Sequence, residues 1–522
     1  MRAAIREFVN KKPHWVFFLA ISAFYLSFTP GTIKGMGYNL ENIIAADQLE
    51  TQMADMILDR PLKPVEWPRH GFLELLFMLP FVLASKLLFG DSLDWIGLVM
   101  VVQPILFTSL SLVVTFLWVR RLTGSLALSY ALSLTAGVGT MLWPYAYVGL
   151  ETTQSFFVIS SAYLALAAEK RLSLSRLLTF GFACGAAISV KTNGVFLTPA
   201  VVYLIHCYFF RGHKSWADTL RTDARRMILV LATAASIYFA NRHYSSRYWD
   251  SYGGGSGYFF SLLADSPARM AFQLFSYFGS VNKSLLLYAP VTALGLFTLP
   301  RAYRSDPRIV IFSVLTLAGM AGGFSLTYLW ADETWGPRYL HEAILPLTIC
   351  FAAARSGQGC PRSQEFRWRG ETPLLAAAVL GVVISFLGSF FYYGRLHFAA
   401  IQVSQPALES LQHDPRMNHI EFNARLMKIW VRGRLGATDN PDYWPSRYNW
   451  WFKKPADAAE EKSFDLRMLA TPLPIVAKGW ESTLPVSLNQ YRAARAALIC
   501  ALLFSLGLFV CLGLYCRTPV KL

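Results

Sequence analysis

Apolar runs close to the length that crosses a bilayer as a helix, about 20 residues, recur along most of this chain between short polar connections. They read as spans near 14–29, 96–118, 124–142, 154–168, 174–190, 194–210, 227–241, 284–300, 309–329, 340–354, 373–393 and 495–516. Several are short and reach across only with flanking Trp, Tyr, Lys or Arg as anchors. A further run, Phe72 to Phe89, carries Glu74, Pro80 and Lys86 and reads as a helix lying at the outer interface. The region 394–494 breaks the pattern: it is mixed in composition, with Trp430, Trp444, Trp450, Trp451 and several prolines, and predicts a small outer domain. The chain therefore divides into a transmembrane module over 1–393, an outer domain over 394–494, and a last transmembrane helix with a cytoplasmic tail over 495–522. The fold class expected is an all-α polytopic membrane protein with about 12 transmembrane helices.

Composition agrees, at 54% hydrophobic and only 15% charged residues over 522. The net charge of +16 reports topology more than a partner. Arg and Lys concentrate in the connections holding Arg120–Arg121, Lys170–Arg171–Arg176, Arg211 to Arg226, Arg301–Arg304–Arg308 and Arg355 to Arg369, which the positive-inside rule places in the cytoplasm. Were Phe72–Phe89 a span, every one of those connections after it would face outward. Keeping it interfacial returns them all inside and puts both chain ends in the cytoplasm. The basic start Met1–Arg6 has no small-residue cleavage site after the first span, so that span reads as a retained anchor. A nucleic-acid partner does not fit this picture. None of the seven cysteines falls in an outer loop, so no disulfide framework is expected. No CxxC, HExxH or GxxxxGK[ST] pattern occurs, and Gly253–Gly257, with its interrupting Ser256, reads as a flexible loop.

Candidate chemistry gathers in the outer segments, 30–95 (the first outer loop), 143–153, 242–283 and 330–339. The first reverses the overall sign. Wound as a helix, Glu41, Gln48, Gln52, Asp55 and Asp59 fall within roughly 60° of one another. Leu49, Met53, Met56 and Ile57 occupy a neighbouring apolar arc, so a carboxylate could be held at the membrane surface; a solvated polar face is the alternative. Glu151, just outside the third span, reads either as a solvated helix N-terminal acid or as a site residue. Lys191 occupies a tight outer turn against the positive-inside pattern, as an anchor or a ligand-binding cation; Lys283 is a second outward cation. In Trp330–Tyr339, Arg338 stands between aromatics beside Asp332 and Glu333. Its planar fork suits phosphate oxygens, and an ion pair with either acid is the alternative. Mid-span charges of the kind ion-coupled transporters carry, and repeats between the two halves, are not visible.

These residues, in this order and spacing, resemble the GT-C superfamily of polytopic glycosyltransferases that use polyprenyl-phosphate sugars, and its bacterial members in particular. The resemblance covers most of 14–393. It is carried by Pro68-Arg69-His70-Gly71-Phe72 with Leu79-Pro80-Phe81, by Trp143-Pro144-Tyr145 followed by Glu151, by Asn282-Lys283-Ser284 up to Pro290, and by Trp335-Gly336-Pro337-Arg338-Tyr339-Leu340 with Leu345-Pro346. Trp335–Leu340 is the most specific of these. The resemblance implies transfer of a sugar from a polyprenyl-phosphate donor to a hydroxyl on a lipid, glycan or protein acceptor, at the periplasmic face of a bacterial inner membrane. It implies a general base in the first outer loop, where Glu41 is the best match; Asn39 stands where some members place Asp, and Asp47 is the fallback. Substrate contacts would come from Glu151, Lys191, Lys283, Arg338, Tyr339 and His70, with Arg338 and one of the lysines on the phosphate. No cofactor is implied, and metal dependence stays open. Two rival classes remain, a flippase or transporter of lipid-linked sugars and a non-catalytic scaffold of the same fold.

Overall fold

The computed structural model describes residues 12–28, 72–90, 101–147, 149–167, 172–210, 216–251, 266–327, 335–356, 372–390 and 500–509, with isolated positions at 57, 99 and between 419 and 428. Every regular element among them is helical. In chain order these are α1 (Pro13–Ser27), α2 (Phe72–Phe89), α3 (Val102–Thr123), α4 (Leu126–Val138), α5 (Leu142–Tyr145), α6 (Gly149–Leu166) and α7 (Leu174–Ser189). A 3₁₀ turn (Thr192–Leu197) leads into α8 (Thr198–Phe209), followed by α9 (Trp216–Ser251), α10 (Pro267–Gly279), α11 (Leu285–Tyr288), α12 (Pro290–Phe297), α13 (Leu299–Ser305) and α14 (Pro307–Ser325). A second 3₁₀ turn (Arg338–Leu340) opens α15 (His341–Ser356), and α16 (Thr372–Phe390) and α17 (Cys500–Phe509) complete the bundle. Among the described residues three helices are long and apolar enough to cross a membrane, in α3, α14 and α16; six shorter apolar helices accompany them.

Helix ends follow local chemistry. Gly124, at φ 68°, adopts the left-handed conformation that closes α3, and its N–H returns to the Arg120 carbonyl. Ser125 then caps α4 by accepting from the Leu128 N–H at 3.2 Å. Asp306 caps α14, accepting from the Arg308 N–H at 3.1 Å and from its guanidinium at 3.0 and 2.7 Å. At three expected spans the structure departs from the hydrophobic pattern. The run 284–300 is three short helices, because Pro290 and Pro300 cannot donate the backbone bonds that would join them. The run 227–241 is the middle of the 36-residue α9, whose polar flanks continue the helix. The run 124–142 likewise ends at Val138, and α5 restarts with Pro144 inside it. α16 crosses this break closely: a Cβ on Gly381 would lie 1.9 Å from the Gly139 carbonyl oxygen.

The main core is rich in aromatics, with Trp118, Tyr25, Phe17 and Phe116 fully buried around α1 and α3, and Met78 and Val82 of α2 form a separate small cluster. The helix ends sort the charges. Gln103, Glu151 and His341 lie in the first turns of α3, α6 and α15, and Lys191 directly follows α7. Arg120, Arg121 and Arg355 occupy the last turns of α3 and α15, so they stand at the other end. Ser305 and Ser356, whose hydroxyls meet at 2.8 Å, tie α13 and α15 together there. α2 enters the bundle at the end that holds Glu151: its Leu73 N–H donates to Asn241 of α9 at 3.0 Å. Its far end instead exposes Leu87 and Leu88.

Candidate functional site

Glu151, Lys191 and Arg338 meet at one point, each delivered by a differently built segment. α6 carries Glu151 in its first turn, fully buried. The Lys191 turn is shaped by Gly194, whose N–H donates to the Lys191 carbonyl at 2.8 Å. A side chain at 194 would collide with Gln154 Nε2 at 2.6 Å, and that amide donates to the Ala187 carbonyl at 3.0 Å. Gln154 thus ties the last turn of α7, which leads into the Lys191 turn, to α6. The Arg338 turn is pinned on three sides. Gly336 adopts a left-handed φ of 62°, and a Cβ there would lie 2.6 Å from the Tyr288 ring. The carbonyl of Trp335 accepts from the Tyr145 hydroxyl at 3.0 Å, and its indole lies edge-on to Tyr288 and against Gly388.

Both cations donate to a single oxygen, Glu151 Oε1: the ammonium of Lys191 and the Nε–H of Arg338. Oε2 of the same carboxylate has no hydrogen-bond partner. Tyr339 completes the face, its ring 5.1 Å from the Lys191 ammonium and stacked on Phe324 at 3.9 Å. Charges this buried are tolerated because they are paired, and removing one member of such a set typically costs about 3–5 kcal/mol. One turn further along α6, Ser155 Oγ meets His341 Nδ1 at 2.7 Å and so fixes α15 against α6. On the other flank Gln103 donates to Thr153 at 2.8 Å, and Glu74 from α2 lies against Gly149, where a Cβ would meet its Oε1 at 2.1 Å. Both oxygens of Glu74, Gln103 Oε1, Gln154 Oε1 and Glu342 Oε2 are buried without a hydrogen-bond partner. This helix end is rich in acceptors around a pair of cations.

The structure thus brings together four of the residues expected from sequence: Glu151, Lys191, Arg338 and Tyr339. It corrects the reading of Glu151 as a solvated helix-end acid, since the carboxylate is buried and doubly paired. Lys191 is likewise a buried partner rather than a surface anchor. Arg338 pairs with Glu151, whereas its two other expected partners, Asp332 and Glu333, lie outside the described residues, as do Glu41, Asp47 and His70. Lys283 is buried in the turn joining α10 to α11. Sequence reasoning missed Gln103, Gln154, Ser155, His341 and Glu342. The run Glu151-Thr152-Thr153-Gln154-Ser155, five polar residues opening an apolar helix, was the available signal. Among the described residues no group of three or more His, Cys, Asp or Glu could hold a metal ion.

No family model and no curated protein sequence matches the chain. Among solved structures it is similar to ArnT from Cupriavidus metallidurans bound to undecaprenyl phosphate, at 11% identity and a TM-score of 0.44, over 98% of this chain and 77% of that one. The apo state of the same protein gives 13% identity and a TM-score of 0.43, over 99% and 76%. The archaeal oligosaccharyltransferase AglB from Archaeoglobus fulgidus, in complex with an inhibitory peptide and a dolichol-phosphate, gives 12% and 0.43, over 77% and 60%.

Proposed function

We propose that this chain is a membrane glycosyltransferase of the GT-C type, moving a sugar from a polyprenyl-phosphate donor to a hydroxyl acceptor. The observation that supports this reading most directly is the convergence of Lys191 and Arg338, both buried, at one end of an apolar helical bundle. Cations are expensive to bury near lipid and are kept there for an anionic task. A lipid-borne phosphate is an anion that reaches such a site along the membrane. The basic residues at the opposite helix ends favour a cytoplasmic position for that end, which leaves the Glu151 cluster facing outward.

In the reaction, the bond between the anomeric carbon and the phosphate oxygen breaks and its electron pair stays on the phosphate. A bond forms from the acceptor oxygen to the same carbon, and the acceptor proton passes to a carboxylate base, for which Glu41 is the leading candidate. Attack opposite the leaving group inverts the anomeric centre. Lys191 and Arg338 would stabilise the charge growing on the phosphate in a low-dielectric site, where one preorganised donor is typically worth roughly 10²–10³ in rate. Lys283 and Tyr339 would border the donor, and His70 and Asp47 would join from the first outer loop. The direct test is to incubate purified protein in lipid nanodiscs with a panel of polyprenyl-phosphate sugars and to follow sugar release or transfer. No turnover and no binding of any polyprenyl phosphate would refute the reading.

A further inference from the structure

The end of α7 and the start of α2 meet on one side chain. Asn241 of α9 is buried. Its Oδ1 accepts from the Leu73 N–H at 3.0 Å, and its Nδ2 donates to the Ser189 carbonyl. Both partners are groups that a helix leaves unpaired. The Leu73 N–H lies among the first four of α2, and the Ser189 carbonyl among the last four of α7. The N–H can only donate and the carbonyl can only accept, so together they fix which way the amide points.

The pair of helices that carries Asn241 is closely packed. A Cβ on Gly181 would lie 2.9 Å from the Val230 carbonyl oxygen, and one on Gly185 2.6 Å from that of Ala234, so α7 presses its backbone against α9. α2 joins the bundle differently along its length. In its second turn Phe77 packs on Phe107 of α3 and Phe157 of α6, with ring centroids 5.2 and 5.6 Å away. At its first turn, Asn241 supplies a bond to α9 and through it to α7. That turn also carries Glu74, which lies against Gly149, two residues before Glu151. It is where the chain arrives from the first outer loop, with His70 two positions ahead of Phe72 in the sequence.

We propose that Asn241 is a positioning residue for the transfer reaction, locking the first turn of α2 to α7 and α9 beside the Lys191 turn. The role in transfer rests on the glycosyltransferase reading, in which the loop leading into α2 supplies the base. Asn241 touches no reacting atom in this assignment and acts through α2. The Arg338 turn is held by other elements, through Gly336 and Tyr145, so the effect of Asn241 falls on turnover more than on donor affinity.

The test combines hydrogen–deuterium exchange, read by mass spectrometry on the purified full-length protein, with transfer kinetics. In the unaltered protein the Leu73 amide should be protected although no helix bond holds it. Fast exchange there overturns the proposal without any variant. Asn241→Leu leaves both backbone partners buried and unpaired, so exchange over 72–75 should rise by roughly tenfold or more. Segments 77–89 and 174–185 should stay level, because local openings are separable. Gln154→Leu is the control: it removes the bond to the Ala187 carbonyl of α7 without touching α2, and should leave 72–75 level. A rise spread evenly over all helices in Asn241→Leu, or none over 72–75, means that Asn241 does not lock α2. Either result overturns the proposal whatever reaction the protein performs. With a polyprenyl-phosphate sugar that the unaltered protein turns over, kcat of Asn241→Leu should fall on the order of 100-fold, with the donor KM changed far less. A loosened first turn with kcat retained overturns the positioning role and leaves the bond as architecture alone. No turnover of any such sugar by the unaltered protein removes the glycosyltransferase reading and the positioning role with it, while the exchange result still shows whether the lock exists.

Discussion

Two adjacent glycines in α14 provide an internal control for how the Lys191 turn is held. A Cβ on Gly322 would meet nothing within 4 Å, whereas one on Gly323 would fall on the Phe196 ring, 2.2 Å from Cγ and 2.4 Å from each Cδ. Carbon atoms in contact prefer about 3.5–4.0 Å, so in Gly323→Ala the ring must retreat by more than about 1 Å. Its own carbonyl is already set against Gly319, 2.2 Å from where a Cβ there would be, and its ring edge meets Phe324. The intrinsic gain of Ala over Gly in a helix, about 1 kcal/mol, applies to both variants and cancels in their difference. What remains is overpacking, typically about 1–3 kcal/mol. Gly323→Ala should therefore be less stable than Gly322→Ala by that amount in thermal unfolding of the detergent-solubilised protein. Phe196 stands five residues after Lys191 in the same turn, so its displacement should carry the ammonium with it. A shift of about 1 Å at a site of this kind costs on the order of 100-fold in rate. Equal stability and equal donor binding in the two variants would refute the notch as the support of the Lys191 turn.

Three further outcomes are expected. Arg338→Lys keeps the charge but loses the planar fork and should lose most of the activity; Arg338→Ala should lose more, with polyprenyl-phosphate affinity falling alongside turnover. Glu41→Gln should abolish transfer while leaving donor binding nearly unchanged, because it removes a proton acceptor and almost no volume; Asp47→Asn should be milder, and full activity of Glu41→Gln would move the base elsewhere. A cysteine placed near Asp91 should react with an impermeant thiol reagent from outside the cell and one near Arg121 should not; the reverse labelling would invert the orientation proposed above.

The fold was largely legible because a bilayer imposes long apolar stretches that survive as sequence pattern. Phe72–Phe89, Leu174–Ser189 and Pro307–Ser325 form helices close to the boundaries their hydrophobicity suggested. Hydropathy failed where backbone chemistry and apolar character point in different directions. Pro290 and Pro300 are apolar enough to keep 284–300 looking like one span, yet each interrupts the helix. Trp216–Ser251 fails in the opposite sense, since polar flanks that look like loops extend an uninterrupted helix beyond its apolar middle.

The site was legible in its members and illegible in their relations. Glu151, Lys191 and Arg338 each stood out as a charge at the edge of an apolar run. Their meeting depends on chain separations of 40 and 187 residues that no local pattern encodes. For Arg338, the sequence offered two neighbours, Asp332 and Glu333, as natural partners, because proximity along the chain is the cue available there. The turn that carries it explains how a distant partner is reached. Gly336 reverses the backbone into a left-handed conformation that a β-carbon would block against Tyr288, while the Trp335 carbonyl is tied to Tyr145 of α5. That geometry presents the residue two positions after the glycine to the first turn of α6. A Gly336→Ala substitution tests the link directly, since left-handed strain of roughly 1–2 kcal/mol adds to the clash with Tyr288. It should lower thermal stability and weaken polyprenyl-phosphate binding together, although residue 336 itself bears no charge. If stability falls while phosphate affinity is retained, the turn supports the fold without aiming Arg338, and the role of Gly336 in the site is wrong.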